Sequence, residues 1–207
     1  MKTEDILKFL HEAEKLKLEM RHSWMSNGRQ ESVAEHAWRL SLMVLLMGPR
    51  LDEKIDLGKA LKIAVVHDLS EILVGDVPAF LEARKAHHHL ERESMEKLKE
   101  RYKDETMDEL HDLWLEYEDH KTPEARFVKA LDKLEVRIQH DEADIGTWND
   151  LEYPRSQFIP DKYCEYDSFL KEFNDLVKAE SRKKIKNESH RRLEDILEEA
   201  EKMKAQE

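Results

Sequence analysis

Apolar residues recur at helical spacing along most of the chain. Ile6, Leu7, Leu10, Ala13 and Leu18 share one stripe between about Thr3 and Glu19, which predicts a first helix. Residues 20–31 break the period and contain Ser26-Asn27-Gly28, a turn signal. Ser32-Val33-Ala34-Glu35 then reads as a capping box, in which the Ser hydroxyl and the Glu carboxylate satisfy each other's orphan backbone donors. It opens a second helix through Leu40, Met43, Val44 and Met47 that stops at Gly48-Pro49. A third helix, about Leu57 to Val74, is apolar on nearly every side and so belongs at the centre of a core. Gly75 caps its end, and Asp76-Val77-Pro78 begins a loop.

Further helices are expected over His88 to Arg101 and Met107 to Glu118. Another begins at Thr122-Pro123-Glu124, with Pro at the first helical position, and runs to about Asp144. Residues 146–163 read as a loop, and a last tract from Glu165 to Met203 becomes highly charged after Lys178. The expectation is an all-α single-domain bundle of six or seven helices without a strand. It occupies residues 1–180, with a charged C-terminal helical extension over 181–207.

Composition supports helix: charged and apolar residues each make up 40% of the chain, while Gly and Pro number five apiece. The formal net charge of −12, with Lys and Arg dispersed, argues against long nucleic acid as a ligand. Local Arg residues or a metal still allow a small anion to bind. A single cysteine, Cys164, no signal-peptide pattern over Met1 to Leu10 and no apolar run able to span a bilayer point to a soluble cytoplasmic protein.

Three core helices carry a polar residue where the stripe calls for an apolar one. His36 follows Val33 and precedes Leu40 and Met43; His67 and Glu71 share a stripe with Ala60, Ala64 and Val74; Asp132 sits between Val128 and Val136. A buried, ionised Asp costs several kcal/mol (roughly) unless it is paired or metal-bound. Each position has an ordinary explanation on its own, a satisfied core histidine or an ion pair of Asp132 with Lys129 or Lys133. Together, His36, His67, the adjacent Asp68 and Asp132 suggest convergence on one divalent ion. Mixed imidazole and carboxylate donors suit Mn, Fe, Co, Ni or Zn, with Mg possible. Such an ion lowers the pKa of a bound water, and Glu71, one turn beyond His67, is placed to take its proton. His87-His88-His89 reads instead as a solvated helix surface, because consecutive residues point around a helix.

The order His, His-Asp, Asp resembles the HD-domain phosphohydrolases. ESVAEHAWRLSLM (31–43), HDLSEILVGDVP (67–78) and LWLEYEDHKTPEARFVKALDKLE (113–135) are similar to the 5′-deoxynucleotidase branch. The resemblance extends from roughly Lys15 to Tyr153. It implies metal ligation by His36, His67, Asp68 and Asp132, and water activation by Glu71 with Asp68 among the catalytic residues. It also implies phosphate orientation by Arg21, fifteen residues before the first His. His36, Asp68 and Asp132 would face the substrate through the ion, Asp76 would meet the deoxyribose, and Val77, Pro78 and Ala79 would line the same wall. Relatives carry Trp after that Arg; here His22 occupies the position and Trp24 lies two residues on. A homodimer is implied too.

The expected activity is removal of the 5′-phosphate from deoxyribonucleoside monophosphates. Hydrolysis of triphosphates or other phosphoesters at the same site, and a nucleotide sensor without turnover, are the alternatives.

Overall fold

The computed structural model of the chain describes residues 1–77 and 84–206, without the side chains of 84–86. Pro78 and Ala79, two of the expected wall residues, lie outside the described residues. The chain begins with α1 (Thr3–Ala13) and the single turn α2 (Lys15–Leu18), followed by the strands β1 (Met20–Trp24) and β2 (Gln30–Ser32). Next come α3 (Val33–Met47), α4 (Leu57–Val66) and the short α5 (Glu71–Val74). Helices α6 (Arg84–Arg101), α7 (Glu105–Asp119) and α8 (Pro123–Glu142) complete the central bundle. After it come the single turns α9 (Glu152–Arg155) and α10 (Asp161–Cys164), then α11 (Ser168–Glu188) and α12 (Leu193–Lys204).

Local chemistry sets the helix starts. The Ser32 hydroxyl accepts the Glu35 N–H while the Glu35 carboxylate accepts the Ser32 N–H, closing the capping box at the head of α3. Thr122 caps α8 ahead of Pro123, and Asp56, Asp104 and Asp167 cap α4, α7 and α11. Ser32→Ala is expected to destabilise the protein by about 1 kcal/mol in urea unfolding. An unchanged midpoint would mean that the box adds nothing beyond the packing of α3.

The core forms where α3, α4, α7 and α8 meet. Leu40 and Val44 of α3, Ile63 and Ala64 of α4, Trp114 of α7, and Phe127, Val128 and Leu131 of α8 are all buried. Helix α8 is enclosed by its neighbours, and Asp132 and Glu135 are buried with the apolar residues around them.

Four expectations need correction. Residues 20–32 form an antiparallel hairpin pairing Met20 with Ser32 and Trp24 with Gln30, where no strand was expected. Gly28, at φ +84°, makes the reversal, and a two-stranded ribbon is too short for its alternation to stand out. The single helix expected over Leu57 to Val74 breaks after Val66: its N–H bonds shift from i−4 to i−3 at Leu69, Glu71 and Ile72. The final tract is two helices, separated at 189–192, and α12 is not simply solvated. Its Leu193, Ile196 and Ala200 are buried, the first two in a second apolar cluster with Trp148, Tyr153 and Ile185. These breaks, with the short turns inside 146–163, give eight helices of ten residues or more plus single turns among the described residues, rather than six or seven. None of them is long and apolar enough to cross a membrane.

Candidate metal centre

The tightened turn after α4 brings His67, Asp68 and Glu71 to one cavity. The first turns of α3 deliver His36 from the opposite side, and α8 delivers Asp132 with Glu135 three residues on. His36 Nε2 lies 3.3 Å from His67 Nε2 and 3.4 Å from Asp132 Oδ1. Asp68 Oδ2 is 2.9 Å from His67 Nε2 and 3.9 Å from His36 Nε2. One donor atom each from His36, His67 and Asp132 falls within 4.8 Å of the others.

The partners of the two imidazoles fix where their protons sit. His67 Nδ1 faces the Ala64 carbonyl at 2.8 Å, which can only accept, so Nδ1 carries the hydrogen. His36 Nδ1 donates to the Glu135 carboxylate, itself held by Arg39 Nε at 2.7 Å. With Nδ1 engaged in each ring, Nε2 of each faces the other with two carboxylates alongside, and as neutral rings both would offer a lone pair there to a cation. Lone pairs and anions so close repel one another unless a cation lies between them.

The electrostatics run the same way. Burial and Arg21 oppose charge on His36, yet Glu135 and Asp132 outweigh them and raise its pKa to about 10. Burial disfavours the Asp132 anion, but Lys133 and His36 hold its carboxyl well below the usual range. The Tyr117 hydroxyl and Lys133 Nζ both donate to Asp132 Oδ2, at 2.8 and 2.9 Å. The field at this point favours positive charge, and the donor set fits a divalent ion.

Glu71 is only 5% exposed, and its Oε2 has no hydrogen-bond partner among the described residues. Burial first, and then Asp68 and Asp76, push its pKa up to about 10. Arg21 lies against both Asp68, 3.3 Å from Nη1, and Glu31, 3.6 Å from Nε. The Asp76 N–H donates to Glu19 Oε1 at 3.1 Å, and Gly75, at φ +74°, makes the turn that presents it. The positive φ favours glycine there, and a Cβ on Gly75 would meet that same Glu19 oxygen at 2.8 Å and displace its carboxylate.

These groups border a cavity of about 430 Å3. Arg21, His67, Asp68, Glu71, Asp76, Val77 and Asp132 line it, and so does His22, whose Nε2 lies 3.2 Å from Glu152 Oε1. Trp24 does not; its carbonyl accepts Gln139 Nε2 at the end of β1. The far wall is built from His140, Glu152, Arg155 and Tyr163, within or beside the stretch read as a loop. Glu135 and Tyr117 also went unforeseen. Glu135, three residues after Asp132 on an apolar face, offered a usable signal, whereas Tyr117 looked like any core aromatic.

Fold and site together define a helical protein with a candidate divalent-metal centre, built on a His-Asp dipeptide, a second His and a distant Asp. The HD-domain family model matches residues 13–174, and the chain belongs to that family. It is 32% identical over 173 residues to human "5′-deoxynucleotidase HDDC2", covering 82% of this chain and 78% of that one. It is 36% identical over 141 residues to the Bos taurus protein of the same name, covering 67% of each. Among solved structures, a predicted metal-dependent phosphohydrolase from Magnetospirillum magnetotacticum MS-1 superposes with a TM-score of 0.72 at 26% identity. That match covers 86% of this chain and 93% of the other.

Proposed function

We propose that the protein hydrolyses deoxyribonucleoside 5′-monophosphates to nucleoside and phosphate, using a divalent ion held by His36, His67, Asp68 and Asp132. The observation that carries the reading is the meeting of two Nε2 atoms and two carboxylates beside the buried Glu71, whose Oε2 has no hydrogen-bond partner among the described residues. The 5′-deoxynucleotidase relatives supply the substrate class.

When bound, the ion supplies positive charge to the phosphoryl oxygens and acidifies a water. Glu71 would accept the water's proton, since a cation beside it would offset the burial and carboxylate repulsion that raise its pKa. Arg21 orients the phosphate through its planar fork, held at the cavity by Asp68 and Glu31. Asp76 accepts a hydrogen bond from the sugar 3′-hydroxyl, with Val77 beside it, and His22 stands toward the base. The cytoplasmic setting and the homodimer belong to the same reading. Trp38, Leu42, Leu45 and Leu46, exposed along one side of α3, provide surface that a second copy would cover.

The test is phosphate release from a panel of ribo- and deoxyribonucleoside mono-, di- and triphosphates, metal-stripped and then with Mn, Co, Zn or Mg. Release from deoxyribonucleoside monophosphates alone, restored by metal, is the expected result. Turnover confined to triphosphates would transfer the site to a different substrate. Nucleotide binding without turnover under any metal would make the protein a sensor.

A further inference from the structure

We propose that Lys129 of α8 is a substrate-contacting residue whose ammonium meets the phosphoryl group of the nucleotide, a role that rests on the phosphatase reading above. Its side chain lines the cavity together with Arg21, Asp68, Glu71 and Asp132. Lys129 precedes Asp132 by three residues on α8, so the two stand on one face of that helix.

Two other cations beside the metal ligands already have an anion against them. Arg21 lies against Asp68 and Glu31, and Lys133 Nζ donates to Asp132 Oδ2 at 2.9 Å. Lys129 differs. Among the described residues no carboxylate comes within ion-pair distance of its ammonium, and Asp132, Glu118 and Asp68 act on it only from longer range. The ammonium stands 4.0 Å over the Tyr117 ring instead. That ring is fixed in turn: its hydroxyl donates to Asp132 Oδ2 at 2.8 Å, and it packs edge-on against His67 with centroids 5.1 Å apart. An aromatic face attracts an ammonium on one side only and leaves its remaining N–H donors to an acceptor on the other.

Charge gives the second argument. Lys133 follows Lys129 at i, i+4, so two ammonium groups on one helix face repel each other. Burial first, and then Lys133, push the Lys129 pKa down. Both effects mark a charge without a close counter-ion, and a phosphate monoester, with about two negative charges near neutral pH, supplies one. Arg21 shares its guanidinium with two carboxylates, so a cation from a different element adds charge that Arg21 does not bring. Held from β1 and from α8, the phosphoryl group has its orientation fixed. Lys129 donates hydrogen bonds in this role and keeps its proton.

The experiment compares Lys129→Gln, Lys129→Met and Lys129→Arg with the unsubstituted full chain, each loaded with Mn2+. Isothermal titration calorimetry gives the affinity for inorganic phosphate and, separately, for a deoxyribonucleoside; steady-state kinetics gives kcat and KM for the monophosphate. With either neutral side chain the phosphate Kd and the KM are expected to rise together by about 10- to 100-fold, the loss of one charge-assisted hydrogen bond. Deoxyribonucleoside affinity and Mn2+ stoichiometry stay unchanged, because Lys129 touches neither. Lys129→Arg keeps the charge and falls between the neutral variants and the parent. Gln and Met both retain an unbranched stem, so a fold defect in one, seen by far-UV circular dichroism, leaves the other to report. Equal loss of phosphate and deoxyribonucleoside affinity in a folded variant would make Lys129 a packing residue and overturn the proposal, as would an unchanged phosphate Kd. Phosphate binding that depends on Lys129 in a protein that turns over no monophosphate would defeat the phosphatase reading and support the contact.

Discussion

His67→Ala is expected to abolish phosphate release to within about a thousandth of the starting rate and to remove one equivalent of tightly bound metal, because about 4 kcal/mol of transition-state stabilisation is lost with the ion. His67 supplies one of the two Nε2 atoms that face each other at 3.3 Å, and its Nδ1 donates to the Ala64 carbonyl. Its loss therefore disturbs the ligand set more than the packing. The thermal shift on adding Mn2+ gives a second measure. At a hundredfold excess over Kd one site stabilises the fold by about 2.7 kcal/mol, and this contribution should disappear in the variant. Full activity, or an undiminished metal equivalent, would show that His67 is a buried structural histidine.

Glu71→Gln should behave differently. Metal binding is retained, while kcat falls by about 10²–10⁴ because the group that accepts the water's proton is gone. The stability effect in the metal-free protein has the opposite sign. The folded-state pKa of Glu71 is raised from its ordinary 4.5 to about 10, chiefly by burial. Its stabilising contribution is thus present below pH 4.5 and lost as pH rises toward 10, since the folded state resists ionisation that the unfolded chain permits. Gln is neutral throughout. Metal-free Glu71→Gln should therefore unfold at a higher urea concentration than the parent at pH 8, and the gap should close toward pH 4. A variant that keeps its kcat removes Glu71 from the chemistry, whatever its stability.

The central features of the site were legible because each violated a pattern. His36, His67 and Asp132 stood out against apolar stripes, and the structure places all three within ligand distance of one another. Asp68 carried no periodic signal and was read through its neighbour His67. Glu135, which holds the His36 ring, showed as a charge on an apolar face, whereas Arg39, which holds Glu135, was legible only as a polar residue on a helix. The far wall of the cavity was hidden for another reason. His140, Glu152 and Tyr163 lie on a helix end and two single turns, which have too few residues to show a period.

The sequence by itself determined that the chain is helical, where its main helices begin, and which buried polar residues need a partner. These properties depend on neighbours a few positions apart: caps, apolar stripes, and the energetic penalty of an ion on an apolar face. Only the tertiary structure decided that the turn at 67–71 tightens and that the Nε2 atoms of His36 and His67 meet. It also decided that the charged C-terminal tract folds back to bury one side. Each of these is a contact between residues far apart in the chain. Packing selects them by summing many small burial terms, and no local pattern records that sum.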